Sequence, residues 1–243
     1  MTPPATREPA IVMIHGAMND HSVWAAPARH FADAGRHVLA IDLPGHGHDG
    51  APALASVEAM ADWLLAMLDA QDVDRVALVG HSMGSLIALE AAARAPGRVT
   101  HLALLGSTWP MKVSGALLKT AQEDEPAAID MVAKWSHTPD HPAVQHSRAL
   151  MQAVAERNPD RLLHNDLAAC KAYANGAAAA AAMTCPVLFL SGARDMMTPP
   201  DGGQLLPALP GARVVSVDAG HQMMAEQPQA VTAALAEFLG TSS

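Results

Sequence analysis

The pentapeptide Gly80-His81-Ser82-Met83-Gly84 lies between an apolar run at 75–79 (RVALV) and a helical segment at 83–95 that stops at Pro96-Gly97. A serine held on a sharp strand-to-helix turn sits in a strained backbone conformation that exposes its hydroxyl. Side chains two residues before and after it would crowd that turn, and both positions here are glycine. The helix that follows aims free N–H groups and partial positive charge at the same point. These features predict a nucleophile at Ser82. The neighbouring His81 points elsewhere on such a turn, which sets it aside as the base.

A serine hydroxyl needs a base that can take its proton and later return it to the leaving group. Imidazole titrates close enough to neutrality to do both. The chain has 13 histidines, so position must decide. His221, in Asp218-Ala219-Gly220-His221, follows the last apolar run, and the glycine before it permits a tight loop back over a sheet. Two carboxylates could orient it. Asp195 closes Gly192-Ala193-Arg194-Asp195 after the run at 186–190, and Asp218 stands three residues before the histidine. Asp195 could also be a plain turn residue beside Thr198-Pro199-Pro200.

Six short apolar runs must carry these residues: 10–14 (AIVMI), 38–41 (VLAI), 75–79, 101–105 (HLALL), 186–190 (PVLFL) and 212–217 (ARVVSV). Each ends at or near Gly or Asp and reads as a strand buried on both faces. Between them, residues 24–34, 57–68, 83–95 and 229–239 have helical spacing of their apolar positions. Strands alternating with helices predict an α/β fold: a mostly parallel sheet of about six strands, with helices on both faces. The stretch 107–185 breaks the alternation. Helical patterns at 113–122, 127–135, 143–155 and 165–174 are punctuated by Pro126, Pro139, Pro142 and Pro159. Its two ends enter neighbouring strands. It is therefore expected to be a helical cap inserted into a core made of 1–106 and 186–243, with the alanine tract 177–182 continuing a helix down to the fifth strand.

On these motifs the chain resembles the α/β-hydrolase superfamily over its whole length apart from the insertion. The order nucleophile, acid, histidine agrees. The resemblance implies Asp195 as the acid that holds the imidazole tautomer. It also implies an oxyanion hole from the amides of Met83 and of Ala17, in the loop His15-Gly16-Ala17-Met18, with Met18 as the second choice for the latter. His15 and Gly16 are expected to shape that turn. Asp42-Leu43-Pro44-Gly45-His46-Gly47 resembles another signature of the family, though His48-Asp49 follows where a basic or polar residue and serine are usual. It is expected to be turn chemistry. The first strand begins after nine residues, so the antiparallel strands found there in many relatives are expected to be missing.

The expected activity is hydrolysis of small, apolar carboxylic esters through an acyl-enzyme. Carbon–carbon bond hydrolysis and enol-lactone hydrolysis use the same three residues and stay open, as do cofactor-free haloperoxidase and acyl-transfer chemistry. Members with an aspartate nucleophile are excluded by Ser82. Hydroxynitrile lyases carry lysine after the base histidine, where this chain has Gln222. A ligand-sensing receptor that keeps the triad is the alternative from another class, and repeated turnover of a short aryl ester separates the two. Trp24, Trp109, Met111, Met131, Trp135 and Met223, with Met18 and the neighbouring Met224, are candidates for an adaptable apolar pocket.

Composition narrows the field. The net charge is −9 with no basic block, so no nucleic-acid partner is expected. No GxGxxG or Walker sequence indicates a nucleotide cofactor. His137, His141 and His146 lack a completing carboxylate or cysteine, and no metal is expected. Cys170 and Cys185 form no CxxC pair and are expected to be reduced. Without an apolar leader or a membrane-length segment, a cytoplasmic protein is expected.

Overall fold

The computed structural model describes residues 8–209 and 211–240. The expectation of no strand before Ala10 falls mainly on residues 1–7, outside the described residues. Six strands form one sheet: β1 (Ala10–Ile14), β2 (Val38–Ile41), β3 (Val76–His81), β4 (Val99–Leu105), β5 (Val187–Gly192) and β6 (Arg213–Val217). Their order is β2-β1-β3-β4-β5-β6, and every adjacent pair is parallel.

The strands are short because each needs only to cross a core covered on both sides, and their apolar residues alternate between the two faces. Ile11, Met13, Ala77, Val79, Leu188 and Leu190 pack under α1 (Ala25–Asp33) and α10 (Pro228–Leu239), the latter preceded by the single-turn α9 (Met223–Glu226). Val12, Ile14, Leu78, Leu104 and Phe189 pack under α2 (Val57–Ala70) and α3 (Met83–Arg94). The reading of all six runs as doubly buried strands is corrected at the two edges. β2 is half-buried along its length, and β6 is mostly exposed, with Val214 at 54%. Each of them has a partner strand on one side only.

Between β4 and β5 run α4 (Gly115–Glu123), α5 (Glu125–Trp135), α6 (Ala143–Arg157), α7 (Leu162–Ala172) and α8 (Gly176–Ala181). Serine and aspartate start two of them: Ser114 accepts the Leu117 N–H, and Asp124 accepts the Ala127 N–H. Helices α4 to α7 bury Leu117, Ile129, Val132, Met151, Val154, Leu162 and Leu163 against one another, which gives this layer a small core of its own. The alanine tract corrects another expectation. It does not continue α7 but forms the separate α8. Tyr173 leaves the helix in an extended conformation so that its hydroxyl can donate to Glu90 Oε2 of α3 at 2.7 Å. At Gly176 a Cβ would lie 2.4 Å from the Trp109 ring, so only glycine lets α8 pack there.

The sheet order matters for function. From β1 the chain moves to the edge at β2, then returns to the other side of β1 as β3. The loops leaving β1 and β3 therefore part in opposite directions and open a crevice at the carboxyl ends of these two strands, the usual place for a ligand in such sheets.

Candidate active site

Ser82 stands at this crevice. Its backbone has φ 53° and ψ −119°, a strained conformation for a residue with a side chain. Tight glycine packing enforces the turn. A Cβ on Gly80 would lie 2.2 Å from the Gly84 carbonyl oxygen, and one on Gly84 would lie 2.3 Å from that of Ile14. The end of β3, the first turn of α3 and the end of β1 are thus pressed together. The Ser82 N–H is fixed by the Leu105 carbonyl of β4 at 2.9 Å. Ser85 Oγ lies 2.5 Å from the Ser82 carbonyl oxygen and 2.7 Å from Ser107 Oγ.

His221 and Asp195 come from the loops after β6 and β5. Gly192 lets these loops touch, since a Cβ there would lie 2.2 Å from the Gly220 carbonyl oxygen. His221 Nδ1 lies 2.8 Å from Asp195 Oδ2, and both side chains are buried. Asp195 also accepts the N–H groups of Met197 and Thr198 on Oδ1 and the Thr198 hydroxyl on Oδ2. Burial alone would raise this carboxyl. The His221 ring and the Thr198 hydrogen bonds outweigh burial and hold it at about 2. An ionised Asp195 requires a proton on His221 Nδ1, which leaves Nε2 as the basic nitrogen. Asp218, the rival carboxylate, is exposed and pairs with Arg194. Ser82 and His221 line one cavity of about 190 Å³, together with Ala17, Met111, Leu117, Trp135, Leu167 and Met197 among others.

The loop after β1 faces Ser82 closely: a Cβ on Gly16 would lie 3.1 Å from Ser82 Cβ. Its amides are sorted by their partners. The Gly16 carbonyl accepts from His15 Nδ1 at 2.8 Å and from the Asn19 N–H at 3.3 Å. The Ala17 N–H, at the other end of that peptide group, has no hydrogen-bond partner among the described residues and belongs to a residue lining the cavity. Met83 N, at the start of α3, is also without a partner there. The Met18 N–H is occupied by Asp166 Oδ2 at 2.9 Å. Ala17 and Met83 can therefore offer donors to an oxyanion, and Met18 cannot.

Of the apolar side chains expected in the pocket, Met111 and Trp135 line the cavity. The others are corrected. Trp24 and Met223 are fully buried under α1 and α10, where Met224 also packs. Met18 and Met131 belong to the core of α4 to α7. Trp109 lies against α8 and donates its indole N–H to the Tyr173 carbonyl at 3.2 Å. A pattern of apolar residues does not separate those that fill a core from those that face a void. Conversely, no motif singles out Met196, Met197, Thr198 or Lys112, which do border the cavity. Their only signal was proximity to Asp195 or to the start of the insertion. Glu226 was also missed. It accepts N–H groups from Gly220 and Thr138, and so joins the histidine loop to the segment after α5.

Two further histidines brace the site. His81 Nε2 donates to the His221 carbonyl oxygen at 2.9 Å. His15 Nε2 accepts the Leu43 N–H at 3.1 Å. Burial first, and then the neighbouring His46, lowers His15 to about 4; burial, and then His221, lowers His81 to about 3. Both stay neutral in the folded chain, while in the unfolded chain they take up protons near 6.5. Between pH 6.5 and about 4 the unfolded state binds more protons, so stability falls as the pH falls. The expected slope is about 1.4 kcal/mol per pH unit for each histidine. Urea titrations at pH 7.5, 6 and 5 measure it, and a stability that stays level over that range would contradict it.

None of the helices among the described residues is long and apolar enough to cross a membrane. The family model of the alpha/beta hydrolase fold matches residues 9–228. The pimeloyl-[acyl-carrier protein] methyl ester esterase of Chromobacterium violaceum is 30% identical over 97% of this chain and 96% of that one. The enol-lactonase of Burkholderia xenovorans superposes with a TM-score of 0.82 at 26% identity, over 96% of this chain and 92% of that one. The dihydrolipoyllysine-residue acetyltransferase component of the acetoin cleaving system of Pseudomonas putida is 39% identical, but over 40% of this chain and only 26% of its own length. With the parallel sheet, the glycine-packed turn at Ser82 and a match spanning nearly the full length, this chain belongs to the alpha/beta hydrolase family.

Proposed function

We propose that this chain is a serine hydrolase that cleaves carboxylic esters through an acyl-enzyme intermediate. The observation that carries the reading is the shared cavity: a serine on a strained turn, an imidazole oriented by a buried carboxylate, and the unpartnered Ala17 amide all meet there. Ser82 Oγ attacks the ester carbonyl while His221 Nε2 takes its proton. The Ala17 and Met83 N–H groups receive the developing oxyanion. The imidazolium, stabilised by Asp195, then protonates the departing alcohol. Water activated by the same nitrogen releases the acid and regenerates Ser82. An uncharged ester is favoured because nine of the fourteen residues lining the cavity are apolar, with Lys112 the one lysine or arginine among them. Cleavage of a lactone follows the same steps, with the alcohol remaining attached, and the similarity to the enol-lactonase supports including lactones in the test.

The cavity at Ser82 shares Ser114, Trp135 and Met196 with an outer hollow of about 1170 Å³. Trp135 and Met196 are 40% and 81% exposed, and large apolar side chains are costly to leave so. They are placed to cover the distal part of an elongated substrate. Each methylene buried is worth about 0.8 kcal/mol, close to a fourfold gain. For p-nitrophenyl acetate, butyrate, hexanoate and octanoate, kcat/KM is expected to climb with chain length. Trp135→Ala is expected to cut the octanoate-to-acetate ratio by about 5- to 10-fold. No turnover of any ester or lactone by the wild-type chain would overturn the reading.

A further inference from the structure

The signature at residues 42–47 has a role beyond its turn. His46 is fully buried, and its Nε2 lies 2.9 Å from Asp166 Oδ2, also fully buried. Asp166 stands on α7, far along the chain from His46. The same oxygen accepts the Met18 N–H. Burial opposes a proton on His46, but the Asp166 carboxylate outweighs it and raises the imidazole above its ordinary value. The pair thus presents a charged acceptor to a backbone amide one residue beyond Ala17.

The peptide group between Ala17 and Met18 is held at both ends. Its carbonyl accepts from Asn19 Nδ2 at 2.8 Å, and its N–H donates to Asp166. Met18 has φ 55°, a conformation that a methionine adopts only when its surroundings enforce it. The preceding peptide is fixed through the Gly16 carbonyl, so the direction of the Ala17 N–H depends on both restraints. Other residues of the inserted layer hold the same region. Arg157 pairs with Asp20 at 2.8 Å and donates to the His46 carbonyl at 3.1 Å. Asn165 Nδ2 donates to the Leu54 carbonyl at 2.8 Å.

We propose that Asp166, backed by His46, is a positioning residue that pins the Ala17–Met18 peptide from the inserted helices and so aims the Ala17 N–H at the oxyanion. This rests on the reading of Ser82 as a nucleophile and Ala17 as an oxyanion donor. It assigns the helical layer a part in transition-state stabilisation besides covering the cavity. It also explains why an ionisable pair is kept in an apolar interior, where an unpaired member would be strongly destabilising.

The test compares Asp166→Ala, Asp166→Asn and wild type in three measurements on the full chain. The first is hydrogen–deuterium exchange of residues 15–20, which reads the pin whether or not the chain proves to be an esterase. The second is kcat and KM for p-nitrophenyl acetate. The third is the inhibition constant of phenylboronic acid, whose serine adduct has a tetrahedral boron that places one of its oxygens in the oxyanion position. Asp166→Ala is expected to speed exchange at least 10-fold, lower kcat about 10- to 100-fold at nearly constant KM, and weaken boronate binding by a similar factor. Asp166→Asn keeps an acceptor for Met18 without the charge and is expected to fall between the two. A general loss of stability would not move kcat and boronate affinity together at constant KM. If Asp166→Ala does not fold, Asp166→Asn decides: wild-type exchange, kcat and boronate affinity in that variant overturn the proposal. Faster exchange with unchanged kcat also overturns it. Wild-type chain that exchanges as expected but hydrolyses no ester and binds no boronate refutes the reading of Ser82, and with it the catalytic part of the proposal.

Discussion

Ser82→Ala is expected to lower kcat for p-nitrophenyl acetate by about 10⁴- to 10⁶-fold, to a remnant that the proposed oxyanion donors and bound water would supply. The substitution removes one oxygen atom. Alanine tolerates φ 53° no better and no worse than serine, and the turn is enforced by Gly80, Gly84 and the Leu105 carbonyl rather than by the hydroxyl. The unfolding free energy is therefore expected to stay within about 1 kcal/mol of wild type. Stoichiometric labelling by a p-nitrophenyl phosphonate should disappear with the activity. Turnover within tenfold of wild type, in a variant that no longer labels, would mean that another group is the nucleophile.

Asp195→Asn is expected to lower kcat by about 10³- to 10⁴-fold. The carboxamide keeps the shape and can still accept the Met197 and Thr198 N–H groups through its oxygen. That orientation turns its NH₂ toward Thr198 Oγ1 and His221 Nδ1. An NH₂ group can only donate to Nδ1, so the ring must carry its proton on Nε2, where it cannot accept one from serine. The charge that stabilises the imidazolium is lost as well. The expected signature is a fall in kcat with little change in KM, because substrate binding does not involve Asp195. Steady-state kinetics across pH 6–9 check it. Near-normal kcat would show that the His221–Asp195 contact is architectural.

Both variants touch residues whose place was readable from a single chain. The glycines around Ser82 declare themselves because they are needed at fixed offsets from that serine, and the contacts a Cβ would make explain the requirement. His221 was distinguishable among many histidines by following the last strand. The amide donors were half legible. The loop 15–18 was recognisable and the resemblance put Ala17 ahead of Met18, but the physical reason, Asp166 occupying the Met18 N–H, lies in a contact across the fold. The pocket was legible least. Met111 and Trp135 face the cavity, whereas Met18, Trp24, Trp109, Met131 and Met223 pack elsewhere. Helical spacing says that a side chain is turned inward and is silent about whether the space it meets is filled.

The amino-acid sequence alone determined the alternation of strands and helices, the glycine-bounded serine and the order of Ser82, Asp195 and His221 along the chain. These are matters of local pattern, set by side-chain periodicity and by which residues a turn admits. Tertiary structure turned the resemblance's choice of Asp195 over Asp218 into a contact with His221, and it alone decided that β2 and β6 are edges and that Asp166 reaches the loop holding Ala17. Each of these is a contact between segments separated by 20 residues or more, or an exposure set by what lies alongside. Such contacts depend on how the layers close over one another, and no short stretch of sequence carries that information.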